Sequence, residues 1–207
     1  MWSSNAIRAI RHISAHPGCV YLSFDDGPDA EWTPRMLDLL AAQNVKATFF
    51  VVGCRARATP ALVRRVLAEG HAIGNHSFSH RHPWTLSTTA ARNEVRDGAA
   101  VIADLTGQSP TLFRPPHGRM RRAMSEAANE TGQAIILWSC SAIDWGPLAT
   151  AQRIATRLAQ VQSGDIVLMH DAPAKHNKPH ELARALPGFL RELAARQLNC
   201  ALFNAAD

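Results

Sequence analysis

Short apolar runs alternate along the chain with longer segments whose apolar positions recur at helical spacing. Residues 19–24, Cys-Val-Tyr-Leu-Ser-Phe, read as a strand. Residues 33–43 follow as a helix opened by Thr33-Pro34, with Met36, Leu37, Leu39 and Leu40 on one face. The alternation continues with a strand over 47–52 and a helix over 60–69 that carries Leu62, Val63, Val66 and Leu67 on one face and stops at Gly70. Further strands are expected over 71–75, 111–113, 134–138, 165–169 and 199–203. Helices are expected over 88–105, 122–131, 149–161 and 180–196.

Such alternation argues for parallel strands joined by right-handed helical crossovers. About seven strands could close into a barrel or remain an open, doubly wound sheet, and periodicity does not separate the two. No repeat, low-complexity stretch or linker interrupts the pattern. Residues 1–18 read as an N-terminal extension and 19–207 as one domain, a reasonable size for 207 residues.

Composition narrows the class. Apolar residues make up 46% of the chain and charged residues 19%, which suits a packed core and not a disordered tail. The net charge of +5 comes from scattered arginines with no long like-charged run, so no nucleic-acid partner is expected. Cys19, Cys54, Cys140 and Cys200 form no C-x-x-C pair and read as small buried hydrophobes in a reducing compartment. Residues 1–17 hold no apolar stretch of signal-peptide length, and no segment has the length of a membrane span, so the expected location is cytoplasmic.

The polar residues at the strand ends change the picture most. The first strand runs into Asp25-Asp26-Gly27-Pro28, and the third into His76 with His80 behind it. The fourth runs into Arg114-Pro115-Pro116-His117-Gly118, the fifth toward Asp144-Trp145, and the sixth into His170-Asp171. In parallel α/β folds the loops after the strands converge on one edge, where sites form. His76 and His80 stand four apart, and on a helical turn would share a face suited to metal ligation. Two adjacent carboxylates repel unless a cation lies between them. A divalent metal on Asp26, His76 and His80 would keep coordination positions open, leaving Asp25 as a base. Asp25-Asp26-Gly27-Pro28 also suits a plain reversal of the chain. Arg114, stiffened by two prolines, could orient Asp25. His170, with Asp171 or Asp144, suits a general acid, because a carboxylate partner raises a histidine's pKa. Trp145 and Leu168 could wall a small apolar pocket.

Taken in order, Ser23-Phe24-Asp25-Asp26-Gly27-Pro28, His76-Ser77-Phe78-Ser79-His80, Arg114-Pro115-Pro116-His117-Gly118, Asp144-Trp145 and Leu168-Met169-His170-Asp171 resemble the five motifs of the NodB-homology polysaccharide deacetylases, carbohydrate esterase family four. The resemblance implies a distorted (β/α) barrel and a divalent metal, usually zinc, held by Asp26, His76 and His80. It implies Asp25 as base, His170 as acid, Arg114 and Asp144 as their respective partners, and Trp145 and Leu168 as the acetyl pocket. Pro116 and His117 fall in the substrate-binding motif. His117 stands where the family often carries Tyr, a residue whose backbone N–H serves the oxyanion, and Ser141 stands where many members carry Asp. The implied activity is hydrolysis of N-acetyl groups from an N-acetylglucosamine oligo- or polysaccharide such as a chitooligosaccharide. Deacylation of another acylated sugar, in peptidoglycan or on a lipid, is the alternative. A non-catalytic sugar-binding descendant would lack the base or a ligand, and Asp25, Asp26, His76, His80 and His170 are all present. Adjacent aspartates do not fit the D-x-D of a phosphoryl-transfer hydrolase, and α/β alternation does not fit the β-barrel of a two-His, one-carboxylate iron oxygenase.

Overall fold

Strand β2 (Cys19–Asp25) is the organising element, flanked by β3 (Thr48–Val51) and β8 (Ile166–His170) in parallel register. The computed structural model describes residues 9–174 and 176–203. Beyond β3 follow β4 (Ala72–Asn75), β5 (Leu112–Phe113), β6 (Ala134–Ile136) and β1 (Ala9–Ile10); beyond β8 lies β7 (Cys140–Ser141). β9 (Asn199–Cys200) pairs with the start of β2. All ladders are parallel, as the crossover pattern requires. The stretch from β6 to β7 bends the sheet into a distorted (β/α) barrel. Its first half lies against β5, its second half against β8, and the Ser139 N–H donates to the Ile166 carbonyl at 3.1 Å.

Period-two alternation decides what faces the barrel interior. In β2, Val20, Leu22 and Phe24 join the core under the helices, with Met169 and Val167 of β8 and Phe49 and Val51 of β3. The alternate residues turn inward. Tyr21, Phe50 and Ile166 pack together, while Ser23 is buried with its hydroxyl donating to the Val167 carbonyl. This parity carries Asp25 and His170, the last residues of β2 and β8, to the mouth of the barrel side by side.

The helices are α1 (Trp32–Ala41), α2 (Gly53–Ala58), α3 (Pro60–Ala68), α4 (Thr88–Thr106), α5 (Arg122–Glu130), α6 (Ala151–Leu158) and α7 (Pro179–Ala195). α4 begins where the Ser87 side chain accepts the Ala90 N–H and ends at Gly107, whose φ of 74° is left-handed.

The seven strands and six helices read from periodicity are present, most within a few residues of their expected bounds. The last strand is shorter, because only Asn199 and Cys200 pair with β2. β1, β7 and α2 add to the expectation. β1 and β7 are two residues each, too short for alternation to register, and α2 is Gly-Cys-Arg-Ala-Arg-Ala, without an apolar stripe. The expected extension thus contributes a strand, and Ile13 after it is buried. The four cysteines are free and partly buried. No described helix is long and apolar enough to cross a membrane.

Candidate metal and catalytic centre

A cavity of about 420 Å³ opens at the C-terminal ends of the strands, lined by Asp25, Asp26, His76, His80, His117, Trp145, Leu168 and His170. Eight of the eleven site residues expected from the sequence therefore meet on one surface. The other three, Arg114, Asp144 and Pro116, are buried around it.

Arg114 is buried beneath Asp25, its Nη1 2.7 Å from Asp25 Oδ1 and 2.8 Å from Ser23 Oγ. Its Nη2 and Nε donate to the carbonyls of Leu137 and Ile136, and its guanidinium lies 4.0 Å from the Phe50 ring centroid. The donors fix this cation in one pose, so Asp25 Oδ1 is held and Oδ2 is left toward the cavity.

His76 follows β4 directly and its Nδ1 lies 2.7 Å from the Arg114 carbonyl. Donation there places the proton on Nδ1 and leaves the Nε2 lone pair for a ligand. His80 Nε2 lies 3.0 Å and His76 Nε2 3.5 Å from Asp26 Oδ1. Neither contact has hydrogen-bond geometry: Asp26 Oδ1 is buried and accepts no hydrogen bond. Asp26 Oδ2 is already taken by Asn177 Nδ2 at 2.7 Å. One donor atom from each of Asp26, His76 and His80 lies within 4.8 Å of the others. Two imidazoles and an unsatisfied carboxylate oxygen around one point fit a divalent cation such as zinc. Burial pushes the Asp26 carboxyl up, but His76, His80 and His170 outweigh it and hold it well below the ordinary carboxylate range.

The two histidines meet across a loop, not the helical turn expected from their spacing. Ser77 and His80 have φ of 66° and 57°, which no helix accommodates. The loop is pinned from outside. Gly53 and Cys54 donate to the Ser77 and Phe78 carbonyls, and the buried Glu94 of α4 accepts from the Ser79 N–H at 2.8 Å and from its hydroxyl.

His170 is mostly buried, and Asp144 is wholly so. Asp144 Oδ1 is 2.8 Å from His170 Nδ1, and Asp144 Oδ2 accepts the His170 backbone N–H at 2.8 Å. Burial pulls the imidazole down, but Asp144, with Asp26 and Asp25 behind it, raises it to about 9. Asp144 follows β7, not β6 as the expected fifth strand suggested. Asp171 is not the partner of His170. It turns away under the β2–α1 connection, where it accepts from Thr33 Oγ1 at 2.5 Å, and burial raises it to about 7.

His117 has a φ of 58° and Gly118 of 61°, a pair of left-handed residues that turns the backbone at the cavity rim. A side chain at Gly118 would lie 2.6 Å from the Trp138 ring. Burial, then the nearby histidines, lower the His117 imidazole to about 4. Trp138, Ala174, His176 and Asn177 also line the cavity and were not anticipated. Asn177 sits in an unpatterned connection, and Trp138 read as the end of a strand. The loop carrying Asn177 is tied to the one after β7 by Gly146 N–H to the His176 carbonyl and Lys178 N–H to the Asp144 carbonyl, each 2.8 Å.

Comparison with known proteins agrees with this geometry. A peptidoglycan-N-acetylglucosamine deacetylase of Bacillus cereus is 36% identical over 76% of the chain, although the match spans 57% of that longer protein. A chitooligosaccharide deacetylase of Bradyrhizobium is 35% identical over 73% of the chain and 70% of its own length. The solved structure of the Bc1960 peptidoglycan N-acetylglucosamine deacetylase, in complex with 4-naphthalen-1-yl-N-oxidanyl-benzamide, superposes with a TM-score of 0.86 at 31% identity, covering 93% of this chain and 89% of that one. The polysaccharide deacetylase family model matches residues 12–136. The chain belongs to the polysaccharide deacetylase family.

Proposed function

We propose that this chain is a metal-dependent deacetylase that hydrolyses the N-acetyl group of N-acetylglucosamine units in an oligo- or polysaccharide, releasing acetate. The observation that carries the reading is the orphaned, buried Asp26 Oδ1 facing His76 Nε2 and His80 Nε2, with Asp25 and His170 on the same cavity wall. The names of the relatives support the substrate class.

A divalent cation, zinc by its two-imidazole and one-carboxylate donor set, would be held by Asp26, His76 and His80 and would polarise the amide carbonyl and acidify water. The chain's own groups do the rest. Asp25, held through Oδ1 by Arg114, takes a proton from the attacking water at Oδ2. The water oxygen bonds to the carbonyl carbon. The backbone N–H of His117, on the cavity rim, faces the developing oxyanion. As the C–N bond breaks, protonated His170 passes its Nε2 proton to the departing sugar amine, while Asp144 holds Nδ1 and stabilises the cation until then. Leu168 and Trp145 enclose the acetyl methyl in the apolar part of the cavity, and Trp145 stands edge-on to His170 at 5.3 Å. Pro116, buried, keeps the His117 turn rigid.

Asp25→Asn separates ligation from catalysis. The variant should keep its zinc, measured by elemental analysis, and lose acetate release from chitotetraose by at least about a hundredfold, the usual worth of a general base. His80→Ala should instead lose the zinc. Full turnover in the first variant, or full metal content in the second, overturns these roles.

A further inference from the structure

An exposed tryptophan is continuous with the rim of this cavity and has no part in the chemistry above. Trp84 is 63% exposed. A single exposed apolar side chain ordinarily calls for no explanation, but three features set this one apart. First, it is joined to the cavity by a run of rings. His117 on the rim stacks on His82 at 5.1 Å and 27°, and His82 meets Trp84 at 5.3 Å. Second, its backbone is rigid. It sits in a single 3-10 turn, Pro83–Thr85, with Pro83 and Leu86 buried on either side. The Trp84 N–H donates to His82 Nδ1 at 3.3 Å, the Thr85 hydroxyl donates to the His82 carbonyl at 2.8 Å, and Arg121 donates to the Leu86 carbonyl. Third, two hydrogen-bond donors lie beside it. The Arg119 guanidinium lies over the indole, 5.1 Å from its centroid, and His82, which accepts at Nδ1, carries its proton on Nε2.

A flat apolar ring with donors beside it complements a pyranose, whose axial C–H groups form an apolar face rimmed by hydroxyls. The turn that holds Trp84 removes much of the ordering cost that a flexible loop would incur on binding. The ring-to-ring steps from His117 to Trp84 are on the length scale of successive units in a linear sugar chain. We infer that Trp84, with His82 and Arg119, forms an accessory carbohydrate subsite that takes a sugar unit two removed from the one deacetylated, so that the chain prefers oligomers long enough to reach it. The inference rests on the deacetylase reading for the identity of the sugar.

The test compares wild type, Trp84→Ala and Trp84→Phe, each full-length and zinc-loaded, with chitobiose and chitotetraose. Calorimetric Kd and acetate-release kcat/KM are both measured. Trp84→Ala should weaken chitotetraose binding about tenfold, the worth of one aromatic contact. It should lower kcat/KM for the tetramer through KM, with a clearly smaller change for the dimer, and Trp84→Phe should recover part of the loss. Equal effects on dimer and tetramer, or none on either, overturn the subsite. If no oligomer yields acetate but the tetramer still binds wild type more tightly than Trp84→Ala, the deacetylase reading falls and the subsite stands. If there is neither acetate nor a binding difference, both fall.

Discussion

Replacing Asp144 by Asn tests how His170 is kept protonated. Asp144 contacts His170 twice, through Nδ1 and through the backbone N–H, each at 2.8 Å. An asparagine has one acceptor oxygen for these two donors. If that oxygen keeps the backbone N–H, the amide NH2 faces Nδ1 and donates to it, which favours neutral imidazole. The wild-type His170 pKa of about 9 would then fall to its ordinary 6.5 or below, because burial is no longer opposed at close range. That fall of about 2.5 units corresponds to roughly 3 kcal/mol of lost preference for the imidazolium. At pH 8 the protonated fraction drops from about nine-tenths to about one-thirtieth, so kcat should fall about thirtyfold, with a much smaller loss at pH 6. The assay is acetate release at saturating chitotetraose from pH 5.5 to 10. The alkaline limb should move down by two units or more. An alkaline limb at the same pH in Asp144→Asn refutes the assignment of His170 as the acid and Asp144 as its partner.

Two further predictions concern stability. Arg114→Met leaves Asp25 buried without its cation and should cost about 3–5 kcal/mol in urea unfolding; a loss below about 1 kcal/mol would mean that water reaches Asp25 and that the pair is not closed. His71, buried at the start of β4 away from the cavity, accepts the Ala47 N–H at Nδ1 and is lowered to about 4 by burial and then by Lys46. A depressed histidine contributes stability above its unfolded pKa of about 6.5 that is lost as pH falls toward the folded value, so wild type should lose up to roughly 3 kcal/mol between pH 6.5 and 4. His71→Asn keeps an acceptor for Ala47 and should flatten that slope; an unchanged slope would place the titration elsewhere.

What could be read from the chain divides along physical lines. The strand and helix bounds were legible where the element is long enough for its period to appear, as in α4 and α7, and failed for β1 and β7, which depend on neighbours for their pairing, and for α2, which has no apolar stripe. The strand-end clusters were legible because parallel topology brings Asp25, His76, Arg114 and His170 to one edge wherever the strands lie in the sheet. The means of bringing them together was not. His76 and His80 share a site through two left-handed residues, Ser77 and His80, and through Glu94, which lies in the next helix. The residues alone leave Asp171 open beside Asp144 as the partner of His170, but alternation at the end of β8 turns successive side chains opposite ways. Asn177 holds Asp26 Oδ2 from a connection whose composition marks it only as a loop.

The most direct test of the account is acetate release from N-acetylglucosamine oligomers by the purified chain, before chelation, after it and after zinc is restored. The account predicts acetate that disappears with chelator and returns with zinc. Acetate release that survives removal of all bound metal, or a zinc-loaded and folded protein that releases none from any oligomer, would contradict it.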